Sequence, residues 1–172
     1  MVHAAVDTYA RNHVLTVVTS QHHEMLHEGK FWQVSGQTTL GSGASYDLLI
    51  QVGSIPLHLH KDTIASLSLD LLLYEGTTFS AAGTAVTPVN PRRVAHSITH
   101  VSTWTHTPTV TDVGTLLYTR SLAVDRQAGD AAGIGHEFIL AANTDYLLRA
   151  TSNAVNNDVG WNHIFSEQVL DS

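Results

Sequence analysis

Residues 66–74 read Ser-Leu-Ser-Leu-Asp-Leu-Leu-Leu-Tyr, which sets Leu67, Leu69, Leu71 and Leu73 on one side of an extended chain and Ser66, Ser68 and Asp70 on the other. Apolar residues at every second position bury one face of a β-strand and leave the other in water; in a helix the same spacing would scatter them around the whole circumference. From Phe31 onward, comparable runs occur at 31–39, 45–52, 57–60, 94–105, 115–123, 136–140, 146–152 and 161–166. Gly41-Ser-Gly43, Glu75-Gly76, Asp112-Val-Gly114 and Ala142-Asn-Thr-Asp145 interrupt them with residues that accept tight or positive-φ backbone. No spacer has the length and periodicity of a crossover helix, so a parallel α/β architecture is not expected. The expected fold is all-β, an antiparallel β-sandwich or jelly roll of about eight strands. Residues 80–91, broken by Gly83, Pro88 and Pro91, are expected to form a long connecting loop.

A chain of 172 residues suits one domain, with residues 31–172 as the sandwich and residues 1–30 as an N-terminal arm or extension. The arm lacks alternation and carries His22, His23 and His27. Its apolar stretch at 14–18 is either a strand that pairs with a neighbouring subunit or the first strand of the same domain. Val14, Leu15 and Val17 are its candidate contacts.

There is no cysteine, which removes disulfides, thiolate metal sites and cysteine nucleophiles and leaves stability to packing and strand pairing. Charged residues are 13% of the chain, against roughly 25% in typical soluble domains, while threonine occurs 20 times. So few charges suit either a subunit partly covered by partners, since interface cores are poor in charge, or a compact domain with a threonine and serine surface. The formal charge is −7 with 8 Lys plus Arg, and Arg92-Arg93 is the one basic dipeptide, so nucleic acid is not an expected partner. No run approaches the roughly 18 apolar residues of a membrane span and the N-terminus has no leader pattern; the chain is read as soluble and made in the cytoplasm.

The 12 histidines supply the candidate chemistry. His58 and His60 fall on the same side of a strand, about 6–7 Å apart, a separation at which two neutral imidazoles can share a metal ion. Glu75 and His96 or His100 are candidates to complete such a site, which would be similar to the His-x-His pair of cupins, although no Glu follows a few residues downstream as it does there. The competing and preferred reading is a pair of strand histidines bonded to threonine or backbone, with no metal and no cofactor. His96, His100 and His106 have even spacing with Val94, Ile98 and Trp104 along the strand expected around 94–105 and are read as a contact face between subunits, with His96, Ile98, His100 and Trp104 as its candidate residues, because Trp and His each join an apolar body to a polar tip. No Gly-x-Ser-x-Gly elbow or phosphate loop is present, and nothing selects a catalytic pair among 15 acidic residues, so an enzyme is not expected.

Three segments carry a resemblance: Leu73-Tyr-Glu-Gly-Thr-Thr-Phe-Ser-Ala-Ala-Gly-Thr-Ala-Val-Thr-Pro-Val-Asn90, Thr107-Pro-Thr-Val-Thr-Asp-Val-Gly-Thr115 and Glu137-Phe-Ile-Leu-Ala-Ala-Asn-Thr-Asp-Tyr-Leu-Leu-Arg149. In order and character they resemble a family of small tailed-phage structural proteins that share a strand ending in Tyr-Glu-Gly, a Ser-Ala-Gly-Thr and Thr-Pro-x-Asn loop, a Thr-Pro-Thr-Val-Thr segment and a late Asn-Thr-x-Tyr-Leu-x-Arg strand. The resemblance covers about residues 56–166, departs from the family at Pro91-Arg92-Arg93, and does not extend to residues 1–50. It implies a non-enzymatic β-sandwich protein of the virion. The expected role is a capsid decoration or cement protein on the capsid surface, a homotrimer whose partner is the major capsid protein, assembled in the host cytoplasm. The alternatives are a tail or fibre-attachment component that binds glycans through Trp32, Trp104 or Trp161, and a cupin-like metal-binding protein using His58 and His60.

Overall fold

The computed structural model describes residues 25–94, 97–122 and 137–167. They form twelve strands rather than about eight: β1 (Phe31–Leu40), β2 (Ser45–Gln51), β3 (Leu57–Ala65), β4 (Leu69–Glu75), β5 (Thr78–Ala81), β6 (Thr84–Val86), β7 (Thr103–His106), β8 (Thr109–Asp112), β9 (Thr115–Leu122), β10 (Glu137–Leu140), β11 (Asp145–Ser152) and β12 (Asn157–Glu167). The fold is an antiparallel β-sandwich. One sheet has four strands in the order β1-β12-β3-β10, the other six in the order β6-β7-β2-β11-β4-β9, and β5 pairs with β8.

Alternation decides which side chains lie between the sheets. Val34, Leu57, Leu59, Leu140 and Phe165 from the four-stranded sheet meet Leu48, Ile50, Leu73, Trp104 and Tyr146 from the six-stranded one in a single buried cluster. The rings of Trp104 and Phe165 stack at 4.9 Å across the two layers. Leu69 and Leu73 are fully buried, as their spacing requires, each worth about 1.5–3 kcal/mol of transfer free energy. Leu71 packs at the edge of a second cluster made by Leu40, Leu69, Ala150 and Val159. Leu67 lies outside the strand, in a bend held by Asn157: the Leu67 N–H and the Ser66 hydroxyl donate to its Oδ1 at 2.8 and 3.3 Å, and its Nδ2 donates to Ser68 O and Ser152 Oγ at 3.0 and 3.1 Å.

Two expectations need correction. Residues 94–105 are not one long strand, since β7 begins only at Thr103. The segment before it is tied to the end of β12 instead: the N–H groups of Val101 and Ser102 each donate to one carboxylate oxygen of Glu167 at 2.7 Å. Residues 80–91 are not a plain loop either. They hold the end of β5, all of β6, and Val89, which exchanges two backbone hydrogen bonds of 2.8 Å with Gln33 on β1.

β5 and β8 make a third layer, and the topology shows where it lies. β5 carries the chain from β4 to β6, and β8 carries it from β7 to β9, so both must pass over β11 and β2. Leu49 and Leu147 sit opposite each other on the outward side of those two strands, facing away from the core cluster, yet both are 0% exposed. The Thr105 hydroxyl, in the same outward row, donates to Ala82 O at 2.5 Å. The β5–β8 pair is thus a strap across the outer face of the six-stranded sheet. Every one of its four corners has positive φ: Gly76 at 73°, Gly83 at 90°, Thr107 at 54° and Gly114 at 83°. A Cβ at Gly83 would collide with His106 O and one at Gly114 with Glu75 O, so both corners require glycine on two counts.

Candidate contact surfaces

The His58-x-His60 pair points to the outer face of the four-stranded sheet, where Ser166 is buried and Ile139 and Ile164 are not. Strand pairing sets Ile139, His58 and Ser166 in one row across β10, β3 and β12, and Glu137, His60 and Ile164 in the next. Ile139 is 55% exposed and Ile164 38%. The His58 Nδ1–H donates to Glu137 Oε1 at 2.9 Å, and His60 Nε2 lies 3.5 Å from the same oxygen. The pair therefore does have a carboxylate partner, Glu137, supplied by a strand 79 residues away, which no local pattern could reveal. Glu75, the partner considered from sequence, is elsewhere: its Oε1 accepts from the Tyr146 hydroxyl at 2.7 Å. Among the described residues no group of three or more His, Asp and Glu is arranged to hold a metal ion.

Residues 97–102 are not a strand, so the even spacing of Ile98, His100 and Trp104 does not by itself set them on one face. Trp104 is 1% exposed, in the core opposite Ile50. His100 is half-buried, edge-on to Trp32 at 4.7 Å and to Phe165 at 6.0 Å, with its Nδ1–H donating to Ser102 O at 2.9 Å. Ile98 is half-buried. His96 and the arm residues Val14, Leu15 and Val17 lie outside the described residues. The three tryptophans offer no outward groove of the sort a glycan platform uses: Trp32 packs against the core cluster, and Trp161 lies between the sheets, stacked on Tyr46 at 4.1 Å. Burial there pushes the Tyr46 hydroxyl up to about 12. Tyr46, Thr63, Tyr118, Trp161 and His163 line an inter-sheet cavity of about 30 Å³, space for one water molecule.

Parts of the segments 73–90, 107–115 and 137–149 meet at the strap. The first ends β4 and forms β5 and β6, the second forms β8, and the third forms β10 and the start of β11, the strand beneath. At their meeting point the N–H groups of Gly76 and Thr77 donate to Asp145 O at 2.9 and 3.2 Å, and the Thr77 hydroxyl donates to Val113 O at 2.7 Å. The Tyr146 hydroxyl, besides donating to Glu75, accepts from the Ala141 N–H at 2.9 Å. Burial and the Glu75 carboxylate push this hydroxyl up to about 12. Beside the strap, on the same outward face, Arg149 donates twice to Asp47, at 2.7 Å from Nε and 2.7 Å from Nη2. That bidentate bond holds the guanidinium charged even more firmly than usual. Parts of all three segments thus meet at the strap and the strand beneath it, while β10 belongs to the opposite sheet.

No protein-family model, curated protein or solved structure matches this chain.

Proposed function

We propose that this protein is a non-enzymatic structural component of a tailed-phage virion, a capsid decoration or cement protein that binds the assembled shell as a homotrimer and stabilises it. What supports this reading is the likeness of the three segments, parts of which meet at one strap and the strand beneath it. Tyr146 to Glu75 and Gly76 to Asp145 are among the bonds that join these segments. A charged content of 13% and the exposed Ile139 and Ile164 on a sheet face fit a subunit that spends its working life against neighbours.

The role requires no chemistry. A subunit that binds only the assembled shell stabilises it by RT ln(1 + [L]/Kd) per site, about 2.7 kcal/mol at a hundredfold excess over Kd. The major capsid protein is the proposed partner, and closed cyclic symmetry is the natural form for subunits placed on a local symmetry axis of a shell. The test is native mass by light scattering followed by co-sedimentation with purified shells. A trimer that sediments with expanded shells and raises their melting temperature supports the proposal; a monomer that neither binds nor protects shells overturns it.

A further inference from the structure

We infer that the β5–β8 strap is a displaceable cover, which opens as a unit and uncovers Leu49 and Leu147 while the sandwich beneath stays folded. Three features set the strap apart from the layer below. It is a two-stranded ladder that belongs to neither main sheet, and its register slips twice within four residues, between Thr78 and Phe79 and between Phe79 and Ala81. Isolated two-stranded ladders are marginal in water. Its residues are mostly exposed, with only Phe79 and Val110 half-buried. Its polar ties to the sheet are few: Thr105 Oγ to Ala82 O, the Thr107 N–H to Asp47 O at 3.0 Å, and the Gly76 and Thr77 N–H groups to Asp145 O.

The floor has the opposite character. β11 is paired on both sides along its length, and β2 is paired with β11 throughout and with β7 over Leu48–Gln51, so the floor around Leu49 and Leu147 is held by its own ladders. The four positive-φ corners are natural hinges, and Thr107 is under strain: a β-branched residue at φ 54°, directly before Pro108, is in a conformation that both its own side chain and the following ring disfavour. Strain of this kind is released when the corner opens. Covering Leu49 and Leu147 keeps an apolar row out of water in the free subunit. Its release on contact with a shell rests on the assembly role proposed above, whereas the opening itself does not.

The test uses the free protein, whose lack of cysteine makes a single introduced thiol an unambiguous reporter. Leu147→Cys reports on the floor under the strap, with Leu49→Cys as the second reporter should the first fold poorly. Leu59→Cys, equally buried but between the sheets, reports on unfolding of the sandwich. Under native conditions the floor thiol is expected to be labelled at least about tenfold faster than the core thiol, the signature of sub-global opening. Adding Thr105→Val, which removes the tie to Ala82, is expected to raise floor labelling about fivefold and leave core labelling unchanged. Floor and core thiols labelled at one common rate, with Thr105→Val moving both together, would overturn the proposal.

Discussion

The Tyr146 hydroxyl joins two distant parts of the chain, donating to the Glu75 carboxylate at the end of β4 at 2.7 Å while accepting from the Ala141 N–H just after β10. Tyr146→Phe keeps the ring in the core but leaves a carboxylate and an amide without their partner. The expected loss is about 1–3 kcal/mol, read from the urea midpoint at unchanged m-value.

The two buried hydroxyls also make an alkaline prediction. Tyr46 and Tyr146 both ionise at about 12 in the folded protein against 10.0 for an unperturbed tyrosine. The folded state therefore holds protons that the unfolded state has lost between those values. Their contribution to stability is complete below pH 10 and declines as pH rises towards 12. Phenolate absorbance should show part of the five tyrosines titrating late, with thermal stability falling over the same window; five tyrosines titrating together near 10 in the folded protein would contradict this.

Gly36 on β1 faces Trp161 on β12 so closely that an added Cβ would collide with the indole ring. Gly36→Ala should displace the ring from Tyr46 and destabilise the sandwich by about 1–3 kcal/mol, with a change in near-UV circular dichroism. An unchanged aromatic spectrum would show that the ring has room to move.

Asn157→Ala removes an amide that serves the Leu67 N–H, Ser66 Oγ, Ser68 O and Ser152 Oγ from a fully buried position. At least two polar groups at the bend between β3 and β4 lose their partner, and a loss of about 2–4 kcal/mol is expected by calorimetry. Replacement by Asp, which keeps the acceptor but not the donor, should recover part of it.

Glu167→Ala frees the Val101 and Ser102 amides without touching any core side chain. Hydrogen exchange at those two amides should accelerate by about tenfold or more, while the amides of β7 keep their protection. Equal acceleration throughout β7 would mean that the carboxylate holds the strand as well as the segment before it.

How much of this was legible follows from how local each signal is. The alternation of Leu69, Leu71 and Leu73 needs only its own strand and a core to face, and β1, β2, β4, β9, β10 and β11 lie close to their expected positions for that reason. β5, β6 and β8 escaped notice because they are three or four residues long, and in β5 and β8 only Phe79 and Val110 are half-buried, too short an alternation to stand out. The single strand expected over residues 94–105 is absent for a different reason. Even spacing implies a common face only inside a strand, and Trp104 faces inward because β7 pairs with β2 opposite Ile50.

By itself the sequence determined that the chain is all-β, that its stability comes from packing without covalent staples, and that its turns fall at Gly43, Gly76 and Gly114, because alternation, composition and backbone permissiveness act within a few residues. Only the tertiary structure decided that Glu137 would meet His58, that Glu75 would meet Tyr146, and that parts of three distant segments would meet at one strap and its floor. Those pairings depend on which strands become neighbours, a choice set by burying both sheet faces at once, and no stretch of chain shorter than the whole domain contains it.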